Sequence, residues 1–160
     1  MLIAFAGLPG TGKSTIARAL AERLGATWLR IDTIEQAMGG VKGPEGYLVA
    51  YAVAEDNLKL GRTVIADSVN PIAITRDAWQ DIARRTGMRF VEVEIVCSDQ
   101  IEHRRRVETR PADIAGHKLP SWADVVGRTY EPFTRPRIVV DTAGRNLEQV
   151  VAALADEIRS

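Results

Sequence analysis

Eight residues near the start of the chain, Gly7-Leu8-Pro9-Gly10-Thr11-Gly12-Lys13-Ser14, spell a complete G-x-x-x-x-G-K-S between an apolar run, Leu2 to Ala6, and a helix-period segment beginning near Lys13. Strand, loop and helix in that order are what a phosphate cradle requires. The glycines let backbone N–H groups turn inward around phosphate oxygens, and the helix N-terminus adds the positive end of its dipole. The motif assigns Gly10, Thr11 and Gly12 to the cradle, Lys13 to the β- and γ-phosphates of ATP, Ser14 to Mg2+ and Thr15 to the α-phosphate. The competing reading, a chance glycine-rich turn, needs four fixed positions to coincide, about once in two hundred chains of this length at ordinary residue usage.

Downstream, short β-branched runs alternate with longer helix-period segments, the pattern of an α/β three-layer fold with a parallel sheet covered by helices. Strands are expected at 2–6, 27–31, 63–67, 89–96 and 137–141, and helices at about 13–24, 33–38, 45–60, 72–86, 99–110, 122–130 and 146–158. With 160 residues the chain suits one domain, 1–160. Acidic and basic residues balance at 21 each, so no overall field favours a polyanion or an anionic membrane, and any nucleic-acid role must rest on a local patch. No apolar run reaches membrane-spanning length. The five apolar residues at the start lack a basic stretch before them and read as a strand, not a leader. Cys97 is the only cysteine, which suits a reducing, cytoplasmic setting. Glu92 and Glu94 are unusual in a strand expected to be covered on both faces.

Asp67 closes the third strand where a Walker B carboxylate would hold magnesium or its water, with capping of the next turn as the plain alternative. No Asn-Lys-x-Asp is present to read guanine, and the chain has no room for the extra lid domain of an AAA+ motor. A proline-flanked segment at about 110–121 has the make-up of a short mobile lid. Before it, spacing of three and four puts His103, Arg106 and Arg110 on one helix face, and the two arginines suit adenine stacking and phosphate binding. Arg104 and Arg105 read as solvated, and His103 as a surface or supporting residue. Asp32, after the second strand, is placed to take a hydroxyl proton, although Asp32-x-x-Glu35 also reads as a helix capping box.

These residues resemble a family: small P-loop kinases of the AAA_33 type, related to the kinase domain of bacteriophage polynucleotide kinase, chloramphenicol phosphotransferase and the zeta toxins. The resemblance rests on the P-loop with Ser14-Thr15, Asp32, the run Asp67-Ser-Val-Asn70-Pro71 with Arg76 and Trp79 downstream, Arg106 and Arg110, and Val139-Val140-Asp141-Thr142. It implies a five-stranded parallel sheet in the order 2-3-1-4-5, as in nucleoside monophosphate kinases, with Asp32 as general base, Arg106 at the adenine and Arg110 at the phosphates. Polynucleotide kinases carry an arginine three residues after the catalytic aspartate, whereas this chain has Glu35. An acidic side chain there repels nucleic acid and suits a cationic or polyhydroxylated acceptor such as an amino sugar.

Tyr47, Tyr51 and Asn70 are the remaining candidates for the acceptor wall, although tyrosines so placed are more often core or groove residues than ligands. Trp28, Trp79 and Trp122 read as packing. Gly39, Gly40 and Gly43 suggest a hinge or an ordinary surface loop. The expectation is therefore an ATP-dependent kinase, monomer or homodimer, that phosphorylates a hydroxyl of a small molecule. Its alternatives are a polynucleotide 5'-hydroxyl kinase and a regulatory ATPase that transfers phosphate only to water.

Overall fold

Every residue of the first strand, β1 (Leu2–Ala6), is buried, and its alternating side chains feed two separate cores. In the computed structural model, which describes residues 1–41 and 43–160, Ile3 and Phe5 pack with Ile16 and Leu20 of α1 (Lys13–Leu24) and with Val151, Leu154 and Ile158 of α7 (Leu147–Arg159). Leu2 and Ala4 face the other way, onto Ala50, Ala54 and Leu58 of α3 (Glu45–Lys59) and onto Trp79 and Ile82 of α4 (Ala73–Thr86). Burying one such aliphatic or aromatic side chain stabilises the fold by roughly 1.5–3 kcal/mol, so this strand helps to anchor both layers.

The sheet is five-stranded and wholly parallel. Its remaining strands are β2 (Thr27–Arg30), β3 (Val64–Asp67), β4 (Phe90–Val96) and β5 (Ile138–Asp141), in the order β2-β3-β1-β4-β5. The expected order is thus observed. Because the chain crosses from one side of β1 to the other between β3 and β4, the carboxyl ends of β1 and β3 border the crevice in which folds of this kind bind ligands. Among the described residues no helix is long and apolar enough to cross a membrane.

The structure also accounts for Glu92 and Glu94. The irregular segment 128–137 brings the counter-charges. Arg135 clasps Glu92 through two bonds of 2.5 and 2.8 Å and also reaches Asp77. Arg137 meets Glu94 at 2.6 Å, and Tyr130 donates its hydroxyl to the same carboxylate. Arg76 fastens the segment from beneath, its guanidinium 3.8 Å from the Phe133 ring centre and bonded to the Glu131 carbonyl. The helix expected at 122–130 is consequently only α6 (Trp122–Val126). A Ser121–Asp124 capping box starts it, Gly127 follows it, and side-chain pairing takes over where helical bonding stops.

Candidate active site

The loop between β1 and α1 is shaped by its glycines and held from behind. Gly10 has φ +84°, and a Cβ there would overlap the Val107 side chain, so only glycine fits. Beneath it lies His103, from α5 (Gln100–Thr109), whose Nε2 is 2.8 Å from the Pro9 carbonyl oxygen. A carbonyl only accepts, so Nε2 carries the hydrogen. Of the two readings of His103, surface or supporting, the structure shows the supporting one: it is a buried prop of the loop.

Lys13 opens α1 with its side chain curled into the loop, Nζ donating to the Leu8 carbonyl at 3.2 Å. Burial holds its ammonium below the usual lysine range, against the pull of Asp67 and Asp32. Asp67, at the end of β3, is buried as well, and burial raises its carboxyl above the ordinary range while Lys13 opposes the shift. The Ser14 hydroxyl and the Trp28 Nε1 both bond to this carboxylate, the latter at 3.3 Å. A hydroxyl and a carboxylate oxygen side by side, next to a lysine that belongs with phosphates, are the hard oxygen donors a magnesium ion takes alongside a nucleotide. Trp28 thus does more than pack; nothing in its sequence neighbourhood signalled that.

Two clefts flank this centre. The first, about 440 Å3, runs past Gly12, Thr15, Arg106 and Thr142. Arg106 does not hang free at its edge: it donates to Thr142 Oγ1 at 2.8 Å, to the Thr142 carbonyl at 3.0 Å and to Glu102 at 2.5 Å. Thr142 Oγ1 lies in turn 2.8 Å from the Thr11 carbonyl, so the turn after β5, the arginine helix and the phosphate loop form one bonded unit.

The second cleft, about 640 Å3, lies on the far side and is lined by Asp32, Glu35, Lys118 and Arg128 among others. Asp32 does not cap its helix. That helix, α2 (Ile31–Ala37), has Arg30 at its N-cap and no side-chain cap bond, and Asp32 stands inside the first turn. The capping-box expectation fails because helical dihedrals begin one residue before the aspartate. Gly10, Gly12, Lys13, Ser14, Thr15, Arg106 and Arg110 line the first cleft and Asp32 and Glu35 the second, so the structure brings these expected residues together.

Three expected acceptor residues do not reach the second cleft. Asn70 is buried, its amide donating to the Phe5 carbonyl at 2.7 Å and accepting from Trp79 at 3.2 Å. With φ +44° it is the residue that turns the chain under β1. Tyr51 stacks edge-on against Trp79 and donates to the Thr75 carbonyl, while the Tyr47 hydroxyl accepts the Asn70 backbone N–H. Their one-turn spacing puts both rings on one face of α3, against Trp79 of α4 and the turn at Asn70.

Arg30 was not singled out by the sequence. It ends β2 opposite Asp67 and pairs through both terminal nitrogens with Asp113 of the 110–121 segment, at 2.6 and 3.0 Å. Arg110 follows α5 in the extended conformation that a residue before proline prefers, and it lines both clefts.

Comparison with known proteins gives three findings. A family model described as AAA domain (AAA_33) matches residues 2–124. A shikimate kinase of Symbiobacterium thermophilum is 30% identical over 179 residues, an alignment covering 99% of this chain and 97% of that protein. Among solved structures, the Mycobacterium tuberculosis APS kinase CysC in complex with AMPPNP and APS superposes with a TM-score of 0.74 at 19% identity, covering 99% of this chain and 97% of that one. Chaetomium thermophilum Kti12 in complex with ADP-AlF3 also gives 0.74, at 21% identity and the same coverage of both chains.

Proposed function

The chain belongs to the AAA domain family AAA_33, and from that premise we propose that it is an ATP-dependent kinase transferring the γ-phosphate to a hydroxyl of a small, polyhydroxylated acceptor. One observation carries this reading. The two clefts meet at Lys13, Ser14, Arg30 and Arg110, the residues that line both, and Asp32 lies on the second side only. Phosphoryl transfer needs donor and acceptor on opposite sides of the moving phosphorus, and a second cleft at that point has no use if the acceptor is only water.

In this reading ATP occupies the first cleft, its phosphates in the Gly10–Thr15 cradle and its base end toward Arg106 and Thr142. Lys13 contacts the β- and γ-phosphates. Ser14 and Asp67 hold magnesium, which neutralises phosphate charge when bound. Asp32 accepts the proton of the acceptor hydroxyl as its oxygen bonds to the γ-phosphorus and the bond to the ADP oxygen breaks. Arg110, from the lid segment 110–121, stabilises the charge on the transferring group. Asp32 and Glu35 suit hydroxyl or amino groups, as in an amino sugar, while Lys118 and Arg128 in the same lining can take an anionic group of the acceptor.

The test is a phosphorylation screen with γ-labelled ATP and magnesium against amino sugars, hydroxy acids, nucleosides and 5'-hydroxyl oligonucleotides. Label should move to a small hydroxylated acceptor, and transfer should fall by about a hundredfold or more in Asp32→Asn. Rapid hydrolysis that no acceptor accelerates would instead establish an ATPase.

A further inference from the structure

Of the residues bordering both clefts, Lys13 and Ser14 belong to the phosphate loop, and Arg110 stands at the lid base. Arg30 belongs to neither, yet it stands at the same point. Its side chain is only 12% exposed, whereas the side chain of its partner Asp113 is 61% exposed. The Nε atoms of Arg30 and Arg110 are both buried without a hydrogen-bond partner, and among the described residues Arg110 forms no ion pair at all. Burial works against the charge of Arg110, Asp32 and Asp113 support it, and Arg30 is near enough to oppose it.

Two partly buried cations side by side are unfavourable unless an anion lies between or beside them. The protein supplies carboxylates: Asp32 acts on both arginines, and Asp113, carried in on an exposed segment, is the one that Arg30 clasps. A carboxylate clasped by two guanidinium nitrogens has the bidentate geometry that Arg also offers a phosphate, but a phosphoryl group has a third oxygen and more charge, enough to engage both arginines. Resting on the kinase reading above, we infer that Arg30 is a second phosphoryl-binding arginine of this site, and that Asp113 occupies its guanidinium until the γ-phosphate of ATP takes over. The exchange frees Asp113 and with it the lid segment, so arrival of the γ-phosphate, and not of nucleotide in general, is what repositions the lid. ADP, lacking that group, leaves the Arg30–Asp113 pair in place.

Discrimination between a nucleotide with a γ-phosphate and one without tests this, with no acceptor needed. Calorimetric affinities for AMPPNP and ADP, with magnesium, are compared across wild type, Arg30→Gln, Arg30→Lys and Asp113→Asn. Loss of one charge-assisted contact should weaken AMPPNP by about tenfold or more in Arg30→Gln while ADP affinity stays within about twofold, and Arg30→Lys should recover part of the difference. Asp113→Asn removes the competing carboxylate and should tighten AMPPNP severalfold without changing ADP. Equal loss of both nucleotides in Arg30→Gln, or no change in either, would overturn the inference, as would an unaltered AMPPNP affinity in Asp113→Asn. Melting temperatures of the variants identify any that fail to fold, and Asp113→Asn, at an exposed position, remains decisive if Arg30 proves necessary for folding. A wild-type chain that binds neither nucleotide would defeat the kinase reading itself, a result distinct from loss of discrimination alone.

Discussion

Trp28 Nε1 donates to Asp67 Oδ2 at 3.3 Å, tying the ring of an edge-strand residue to the carboxylate at the end of the neighbouring strand. The carboxylate takes its other side-chain bond from Ser14, so its position is set by the sheet on one side and the phosphate loop on the other. Replacing Trp28 by Phe keeps an aromatic ring against the core and removes the donor. Losing one such bond to a buried charged group costs about 1–3 kcal/mol. Trp28→Phe should therefore lower the melting temperature by several degrees and raise the magnesium concentration needed for half-maximal turnover severalfold. An unchanged magnesium titration would show that Asp67 is placed without Trp28.

Arg135 is the partner of Glu92, whose side chain is 3% exposed. Arg135→Ala strands that carboxylate, and breaking a buried pair from one side costs about 3–5 kcal/mol. Because Arg135 itself is 22% exposed, the lower end of that range is expected. The double variant Glu92→Leu with Arg135→Ala removes both charges and should regain most of the loss. Equal stability of the single and double variants in denaturant titration would mean that Glu92 is not left uncompensated when Arg135 is removed.

The phosphate loop, the five strands and the two-sided core were legible because glycine spacing and apolar periodicity are local signals that the chain must satisfy wherever it folds. Strand order became legible only through the resemblance, since no single residue records which strand lies beside which. What could not be read was pairing between distant residues. Glu92 and Glu94 look misplaced until Arg135 and Arg137 are laid over them, 43 residues later. Arg30 looks like an ordinary strand end until Asp113 arrives from 83 residues away. At Tyr47, Tyr51 and Asn70 polar and aromatic groups near a site offered a ligand reading, and what the sequence did not show is that each polar group has a backbone or side-chain partner within the fold.

Lys13 yields a prediction about protons. Burial lowers its pKa from the ordinary lysine value in the protein without nucleotide, the carboxylates of Asp67 and Asp32 only partly opposing this. The sign follows directly: a depressed lysine disfavours the protonated form, so its contribution to stability is present above the unfolded value and lost as pH falls through the folded one. Phosphates placed against the ammonium favour the charged form and raise the pKa again. ATP binding should thus take up protons, increasingly as pH climbs toward the ordinary lysine range. Calorimetry in alkaline buffers of different ionisation enthalpy measures the uptake, and Lys13→Arg, whose guanidinium does not titrate there, should abolish it. Equal uptake in both proteins would assign the proton to another group.

Asp32→Asn tests the proposed chemistry most directly, because the structure has removed the competing explanation for Asp32. Helix α2 begins at Ile31, its N-cap is Arg30, and the Asp32 side chain makes no cap bond, so an asparagine there forfeits no backbone partner. What it loses structurally is the attraction of a carboxylate for a helix N-terminus, about 0.3–1 kcal/mol at a partly exposed position, and the melting temperature should move by only a few degrees. ATP affinity should be nearly retained, since Asp32 lines only the cleft beyond Lys13 and Arg110. Phosphoryl transfer to the acceptor should fall by about a hundredfold or more, because a neutral amide cannot take the hydroxyl proton as the oxygen attacks. The three measurements discriminate between roles: a large fall in stability would make Asp32 structural, and lost ATP affinity would make it part of the nucleotide site. Full turnover with a true acceptor would remove it as the general base and leave the proton to another acceptor, such as a γ-phosphate oxygen.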